Sequence, residues 1–577
     1  MTTFLVYAPI PPGDLVTRLG QPEYSYGFVL DRFRPVLEQL GTVQLVTDPA
    51  TQVDAIYDEC QRQAEPCLFL CFAPPHRAPM GLRCPTSTVF AWEFESIPDH
   101  EWDGEARNDW RTVLADHGRA IVLSQHTAQA VRRAMGADFP VAAIPAPLFD
   151  RFTKPGPRES PPRHPRQLTV EGTVVDSLEF EYTDEGMTAP TLADRFCMAP
   201  WSGQPIELNL TNQTEDHGCL VGFYRAESWG TWSRVADPWL MLPVAVQGRV
   251  ELVIVAHGLG VNGGRQIEVS LGAASARFTL PRRRRHLKVT LDVPEPASIL
   301  QFRGLAAEVP VGHDQRTMGM GLTRLTVRRP TRVPTRVNRV VRRLRRSRQP
   351  APFTALPQRE TVNLDGVVYT SVFNPVDYRK NWEQMLYAFC WAFRDEPGAT
   401  LLLKMTHHSV ASYFADLQYF LHRVGPTKCR VLVLHGFLPE REYEHLMGAT
   451  TYYVNASSAE GLCMPLMEFM SAGIPALATD NTAMADYLTA DAAFVVASTP
   501  AFTHWPHDDR QLIRALQYRV NWESLVAAFK DSYVVATSDP ERYVAMGTAA
   551  ETSLRRYSAD DVVARQLASF LGLGDPR

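Results

Sequence analysis

Two glutamates, Glu460 and Glu468, stand eight residues apart in a segment running from Asn455 to Asp480: Asn-Ala-Ser-Ser-Ala-Glu-Gly-Leu-Cys-Met-Pro-Leu-Met-Glu-Phe-Met-Ser-Ala-Gly-Ile-Pro-Ala-Leu-Ala-Thr-Asp. The pattern predicts a strand exit, a loop of small residues, and a helix with Pro465 in its first turn, where the N–H that proline lacks would have no partner anyway. Glu460 falls in the loop and Glu468 inside the helix. Unpaired N–H groups at such a helix start bind anions, a diphosphate among them. Two carboxylates so placed can divide their work, one at the sugar end of a ligand and one on the vicinal hydroxyls of a ribose.

The elements that must position them recur along the chain. Short buried-type strands are expected at 4–8, 43–46, 67–72, 87–91, 120–123 and 141–144, with helical stretches around 28–40 and 127–135. This alternation predicts an open, mostly parallel sheet over residues 1–155. A Pro-rich boundary covers 155–165. The period then changes to two: Ile206, Leu208 and Leu210, then Ile267, Val269 and Leu271, then Leu287, Val289, Leu291 and Val293 alternate with polar neighbours. Residues 166–328 therefore read as an antiparallel β-sandwich. After a linker over 329–357, βα alternation returns in 358–577, with strands expected at 367–373, 400–404, 430–434, 451–454 and 475–478 and helices at 382–393, 440–446 and 465–471. Trp382, Met385, Leu386, Phe389 and Phe393 form the apolar stripe of the first of these helices. The fold class is α/β: two Rossmann-like domains with an antiparallel sandwich inserted between them. In such folds ligands sit at the carboxyl ends of the strands, so the cleft between the domains is the expected site.

The segment around Glu460 resembles the signature of retaining, nucleotide-sugar-dependent glycosyltransferases of the GT-B fold, family-4-like: Glu, seven residues, Glu, with matches at Glu460, Gly461, Pro465, Glu468, Ala472, Gly473 and Pro475. Cys463 and Met464 replace the usual Gly and Leu. The resemblance implies a nucleoside diphosphate sugar as donor substrate, with Ser458, Gly461, Leu462, Cys463, Met464 and Pro465 around it, Glu460 on the sugar and Glu468 on the ribose. It also implies a basic pair after the first strand of the C-terminal domain. Lys380 fits the lysine, but Asn374 stands where the arginine is expected, leaving Arg379 or Lys404 to supply the second positive charge. In the N-terminal domain it points to Glu93 as the residue facing an acceptor hydroxyl. No cofactor and no metal are expected. A non-catalytic glycan-binding protein and a GT-B-fold nucleotide-sugar epimerase are the competing readings.

Composition bounds the rest. At 577 residues the chain holds three or four domains. Its apolar runs fall far short of a bilayer span, and its first residues lack a basic leader. The nine cysteines include no Cys-x-x-Cys pair, as expected of reduced thiols in a cytoplasmic protein. The net charge of −5 hides eleven arginines between Arg324 and Arg348 with no acid among them. Val333, Val337, Val340, Val341 and Leu344 recur there at helical spacing, the pattern of a basic amphipathic segment that either lies on an anionic membrane face or docks on an acidic neighbouring domain. An acidic remainder and an arm without stacking aromatics disfavour nucleic acid. Trp229 and Trp232, near a turn of the β block, are candidate glycan contacts, and a glycan or lipid-linked acceptor is the expected second substrate.

Overall fold

The computed structural model describes residues 2–573 apart from 12, 14–17, 22, 153–165, 181, 184–185, 188–194, 197, 212–218, 225, 307–315, 331–357, 408 and 509. The basic arm beyond Pro330 and the Pro-rich boundary at 155–165 lie outside the described residues.

The N-terminal domain is a six-stranded parallel sheet in the order Gly41–Leu45, Thr2–Tyr7, Cys67–Phe72, Thr86–Phe90, Ala120–Val122, Val141–Ala143. Its first helix, Tyr24–Leu40, begins four residues before the expected start. Gly27 is its fourth residue and is buried. Ser124 caps the helix Gln125–Met135, its hydroxyl accepting from Thr127 N–H at 3.2 Å.

The C-terminal domain has a core of six parallel strands. In order these are Arg430–His435, Ala399–Met405, Val367–Phe373, Tyr452–Asn455, Ala476–Thr479 and Ala493–Val496. Numbered along the chain, that is 3-2-1-4-5-6, the order of a dinucleotide-binding sheet, and it reverses between Val367–Phe373 and Tyr452–Asn455. The helix Trp382–Phe393 buries all five residues of the expected stripe.

Between the two domains in sequence is a separate antiparallel sheet of eight strands, whose longest members are Trp239–Gly258 and Arg285–Arg303. Register breaks between Met241, Val246 and Gly248 bend this pair. The stretch expected to open this block, Arg166–Asp176, instead joins the C-terminal sheet. It runs antiparallel to Arg430–His435 on one side and to Gln358–Leu364 on the other. Its Asp176 carboxylate takes the Arg430 guanidinium at 2.6 Å, which anchors the added strand. Alternating apolar residues mark a strand without stating its partner, so this pairing could not be read from the period alone. The β block rests on the C-terminal helix Ala411–Val424, where Phe414 meets Phe196 and Trp239 edge to face at 5.5 and 5.7 Å.

The two Rossmann-like domains touch along one continuous apolar core. The last helix, Asp560–Leu571, packs back on Tyr24–Leu40, and Asp560 N–H donates to the Asp150 carboxylate at 2.7 Å. Gln125 N–H to Asp486 at 2.8 Å and Leu516 N–H to Glu95 at 2.7 Å close the opposite side.

Candidate active site

At the point where the C-terminal strand order reverses, two strand exits diverge: Phe373 leads into the turn 374–381 and Asn455 into the loop 456–463. The crevice they open faces the N-terminal domain and forms a cleft of about 1470 Å3 lined by both domains.

The loop is held from behind. Ser457 N–H donates to Asn455 Oδ1 at 2.8 Å, Ser458 N–H to the Arg379 carbonyl at 2.8 Å, and Glu460 N–H to Thr482 Oγ1 at 2.9 Å. Cys463 then turns the chain into the helix Met464–Ser471 with a left-handed backbone, φ 64°, and its Sγ is 2.9 Å from Asn455 Nδ2. A non-glycine residue in this region carries strain, offset here by the buried contacts of its thiol.

Two cations and three carboxylates meet below that loop. Lys380 Nζ lies 2.6 Å from Glu460 Oε1 and 4.0 Å from Asp377. Arg379 pairs with Asp377 at 2.7 Å and with Glu93 of the N-terminal domain at 3.0 Å, and donates to the Ala459 carbonyl at 3.1 Å. Burial opposes ionisation of Glu460, but Lys380 and Arg379 outweigh it and hold the carboxyl below its ordinary value. Burial likewise opposes the Lys380 ammonium, yet Glu460 and Asp377 push its pKa up to about 12. Glu93 is raised: burial, with Asp377 and Glu460 nearby, outweighs the pull of Arg379. Glu468, eight residues after Glu460, is raised chiefly by burial and accepts from the Tyr443 hydroxyl at 2.7 Å. Deep burial without full compensation is the usual condition for shifts of this kind, and they gather where chemistry is done.

Of the residues expected at the site, Glu93, Asn374, Arg379, Lys380, Lys404, Glu460, Gly461, Leu462, Cys463, Met464, Pro465 and Glu468 all line this cleft. Ser458 does not. Its hydroxyl accepts from Asn381 Nδ2 at 2.7 Å and its backbone bridges Arg379 and Tyr518, so it braces the loop from outside. Asn374 lines the cleft as a domain tie rather than a charge, its amide donating to the Gly20 carbonyl at 3.1 Å. Trp229 and Trp232 lie on the antiparallel block, away from the cleft. They pack edge to face at 5.0 Å against each other, and both pack against His257.

Several lining residues went unmarked in the sequence. Asp377 is one: its carboxylate accepts from Arg379 N–H at 3.2 Å, and the only hint was an acid two residues before a basic pair. Tyr443, the partner of Glu468, comes from a different helix and left no sequence signal. At one end of the cleft, His507 stacks on Trp102 at 3.7 Å, joining the two domains through aromatic rings.

Residues 430–504 match the family model for glycosyl transferases group 1. Residues 198–329, the antiparallel block, match a domain of unknown function, DUF7024. No curated protein sequence matches the chain. Among solved structures, Anabaena Alr3699/HepE in complex with UDP aligns over 99% of this chain and 100% of its own at 10% identity and a TM-score of 0.42. A glycosyltransferase from Rickettsia africae ESF-5 aligns over 99% and 98% at 7% identity and 0.42. WaaG, a glycosyltransferase involved in lipopolysaccharide biosynthesis, aligns over 36% and 46% at 16% identity and 0.24. Superpositions at these scores transfer no chemistry to this chain. The stretch that matches glycosyl transferases group 1, from Arg430 to His504, contains Glu460 and Glu468 and is set in a fold of two Rossmann-like domains that meet at one cleft.

Proposed function

We propose that the chain is a retaining, metal-independent glycosyltransferase that moves a sugar from a nucleoside diphosphate sugar to a glycan or lipid-linked acceptor in surface polysaccharide or glycoconjugate synthesis. One observation carries this reading. The Glu460–Lys380 pair, the start of the Met464–Ser471 helix and Glu468 share the crevice at the reversal point of a 3-2-1-4-5-6 sheet, inside a glycosyl transferases group 1 region.

The donor diphosphate lies between Lys380 and the helix start, where a cation and oriented N–H groups stabilise the charge that grows on the leaving group. Glu460, freed from part of its contact with Lys380, takes hydroxyls of the sugar, and Glu468, oriented by Tyr443, takes those of the ribose. Glu93 faces the acceptor from the opposite wall. The acceptor oxygen attacks from the face the diphosphate leaves, and a diphosphate oxygen takes its proton, so configuration is kept. Contact between the domains excludes water and holds the reactants together. Domain limits at 1–155, 166–328, 329–357 and 358–577, a cytoplasmic location and a basic arm resting on the inner membrane face belong to the same proposal.

Incubation with UDP-, GDP- and dTDP-sugars, with and without glycan acceptors, tests it by the release of nucleotide. Acceptor-dependent release supports the transferase. Epimerised sugar nucleotide without any acceptor favours an epimerase, and binding of glycan without turnover of any donor favours a lectin-like protein. Either of those outcomes sinks the proposal.

A further inference from the structure

Of the two cations in the turn 374–381, Lys380 is bonded to Glu460 at 2.6 Å and lies 4.0 Å from Asp377. Arg379 is committed to Asp377, Glu93 and the Ala459 carbonyl, and Asn374 is neutral. The other cleft arginines are also paired: Arg32 with Asp31 at 3.0 Å, Arg77 with Glu23 at 2.9 Å, and Arg151 with Asp31 at 3.2 Å and Glu440 at 2.9 Å. Lys404 differs from all of these. It lines the same cleft, is 5% exposed, and donates to Thr406 Oγ1 at 3.0 Å, with no acid in ion-pair reach among the described residues.

Its neighbours along the sheet and in the loop that follows are apolar or neutral. In the sheet it stands in register with Val372 of the strand leading to Asn374 and with Leu434 of the strand beyond. The loop after it carries Thr406 and His407, and His407 is turned to the Ser409 carbonyl at 2.8 Å. Elsewhere in the cleft Tyr443 and Glu468 are bonded to each other, and Arg32 to Asp31. Burial alone holds the Lys404 pKa to about 7. An uncompensated buried ammonium is among the costlier things a fold can keep, and an apolar side chain of similar length would pack there without that penalty.

We propose that Lys404 is the second cation of the donor diphosphate site, supplying from the strand floor the charge that Asn374 does not. This rests on the nucleotide-sugar reading above. Without ligand the amine is largely neutral at mildly alkaline pH; when the diphosphate arrives, the amine takes a proton from solvent and the ammonium pairs with phosphate oxygen. Donor binding is therefore coupled to proton uptake.

Calorimetry on the full chain with UDP and GDP, then UMP and GMP, at pH 6.5 and 8.5 and in buffers of different ionisation heat, tests this. Wild type should take up part of a proton with the diphosphate at pH 8.5. Lys404→Met should lose that uptake and about tenfold or more in diphosphate affinity at pH 6.5, with monophosphate affinity changed less than threefold, and Lys404→Gln should behave likewise. A merely structural lysine would move both nucleotide classes together. Equal diphosphate affinity and equal uptake in wild type and both variants overturns the role of Lys404 alone. Failure of wild type to bind any of the four nucleotides overturns the donor reading and this inference with it.

Discussion

Glu93 and Arg379 join the two domains by a 3.0 Å ion pair set beside the Lys380–Glu460 pair, so that two glutamates from opposite walls share one pair of neighbouring cations. Their ionisation is pushed in opposite directions, Glu93 up and Glu460 down. A carboxyl raised in the folded state lends stability that is present below its unfolded value and lost as pH rises through the folded one; a lowered carboxyl does the reverse. Melting curves from pH 3 to 8 should therefore separate two isosteric variants. Relative to wild type, Glu93→Gln should improve as pH rises above the ordinary carboxylate range, while Glu460→Gln should worsen as pH rises toward that range from below and hold level above it. Parallel pH profiles for the two variants would contradict the assigned electrostatics.

On the proposed reading, in which the Glu460 carboxylate orients the sugar, Glu460→Gln should lower turnover by at least about tenfold, or roughly 1.4 kcal/mol of barrier. Steady-state nucleotide release measures this. Transfer at near the wild-type rate would remove Glu460 from the chemistry.

Lys380→Ala should act mainly on nucleotide binding. It deletes a buried cation and leaves the Glu460 carboxylate without its 2.6 Å partner at the place proposed for the diphosphate. UDP or GDP affinity should fall by about tenfold or more, the range expected for a charge-assisted contact. Unchanged affinity would place the diphosphate elsewhere.

Gly461 sits where the two domains press backbone against backbone. A Cβ there would lie 2.8 Å from Ala91 Cβ and 3.1 Å from Trp92 N. Gly461→Ala acts as a small wedge, and overpacking of this kind costs about 1–3 kcal/mol. Its effect should fall on the contact between the domains: turnover drops by about tenfold or more, while nucleotide affinity, which the proposed site draws mainly from the C-terminal domain, stays within about threefold. A loss confined to nucleotide affinity would show that the two lobes need not meet at this point.

The basic arm is tested by flotation with anionic vesicles. Binding at low salt should fall steeply as ionic strength rises and the Debye length shortens. Absence of binding at low salt leaves docking on an acidic surface of the protein itself as the role of the arginines.

Much of the fold was legible because burial leaves a plain trace. Cys67–Phe72, Val367–Phe373 and Trp382–Phe393 have the boundaries their apolar runs or helical stripe predict. The Glu460 loop was legible as well, since a strand exit, small residues and an early proline fix its local shape. Contacts made across long sequence separations were not: Glu468 with Tyr443, Arg379 with Glu93, and Arg166–Asp176 with Arg430–His435 each depend on how finished elements dock. Ser458 shows the converse, being adjacent in sequence to residues of the site while its own bonds face away from it.

The antiparallel block leaves the chain after Asp176 and the chain is back beside that same strand by Gln358, whose register partner is Gly172. Its entry and exit are thus stapled side by side at one rim of the nucleotide-side sheet, and Phe414 seats it on the same body. It is a passenger of the larger lobe. Any movement of the two Rossmann-like domains against each other would carry this block along with Glu460 and Lys380.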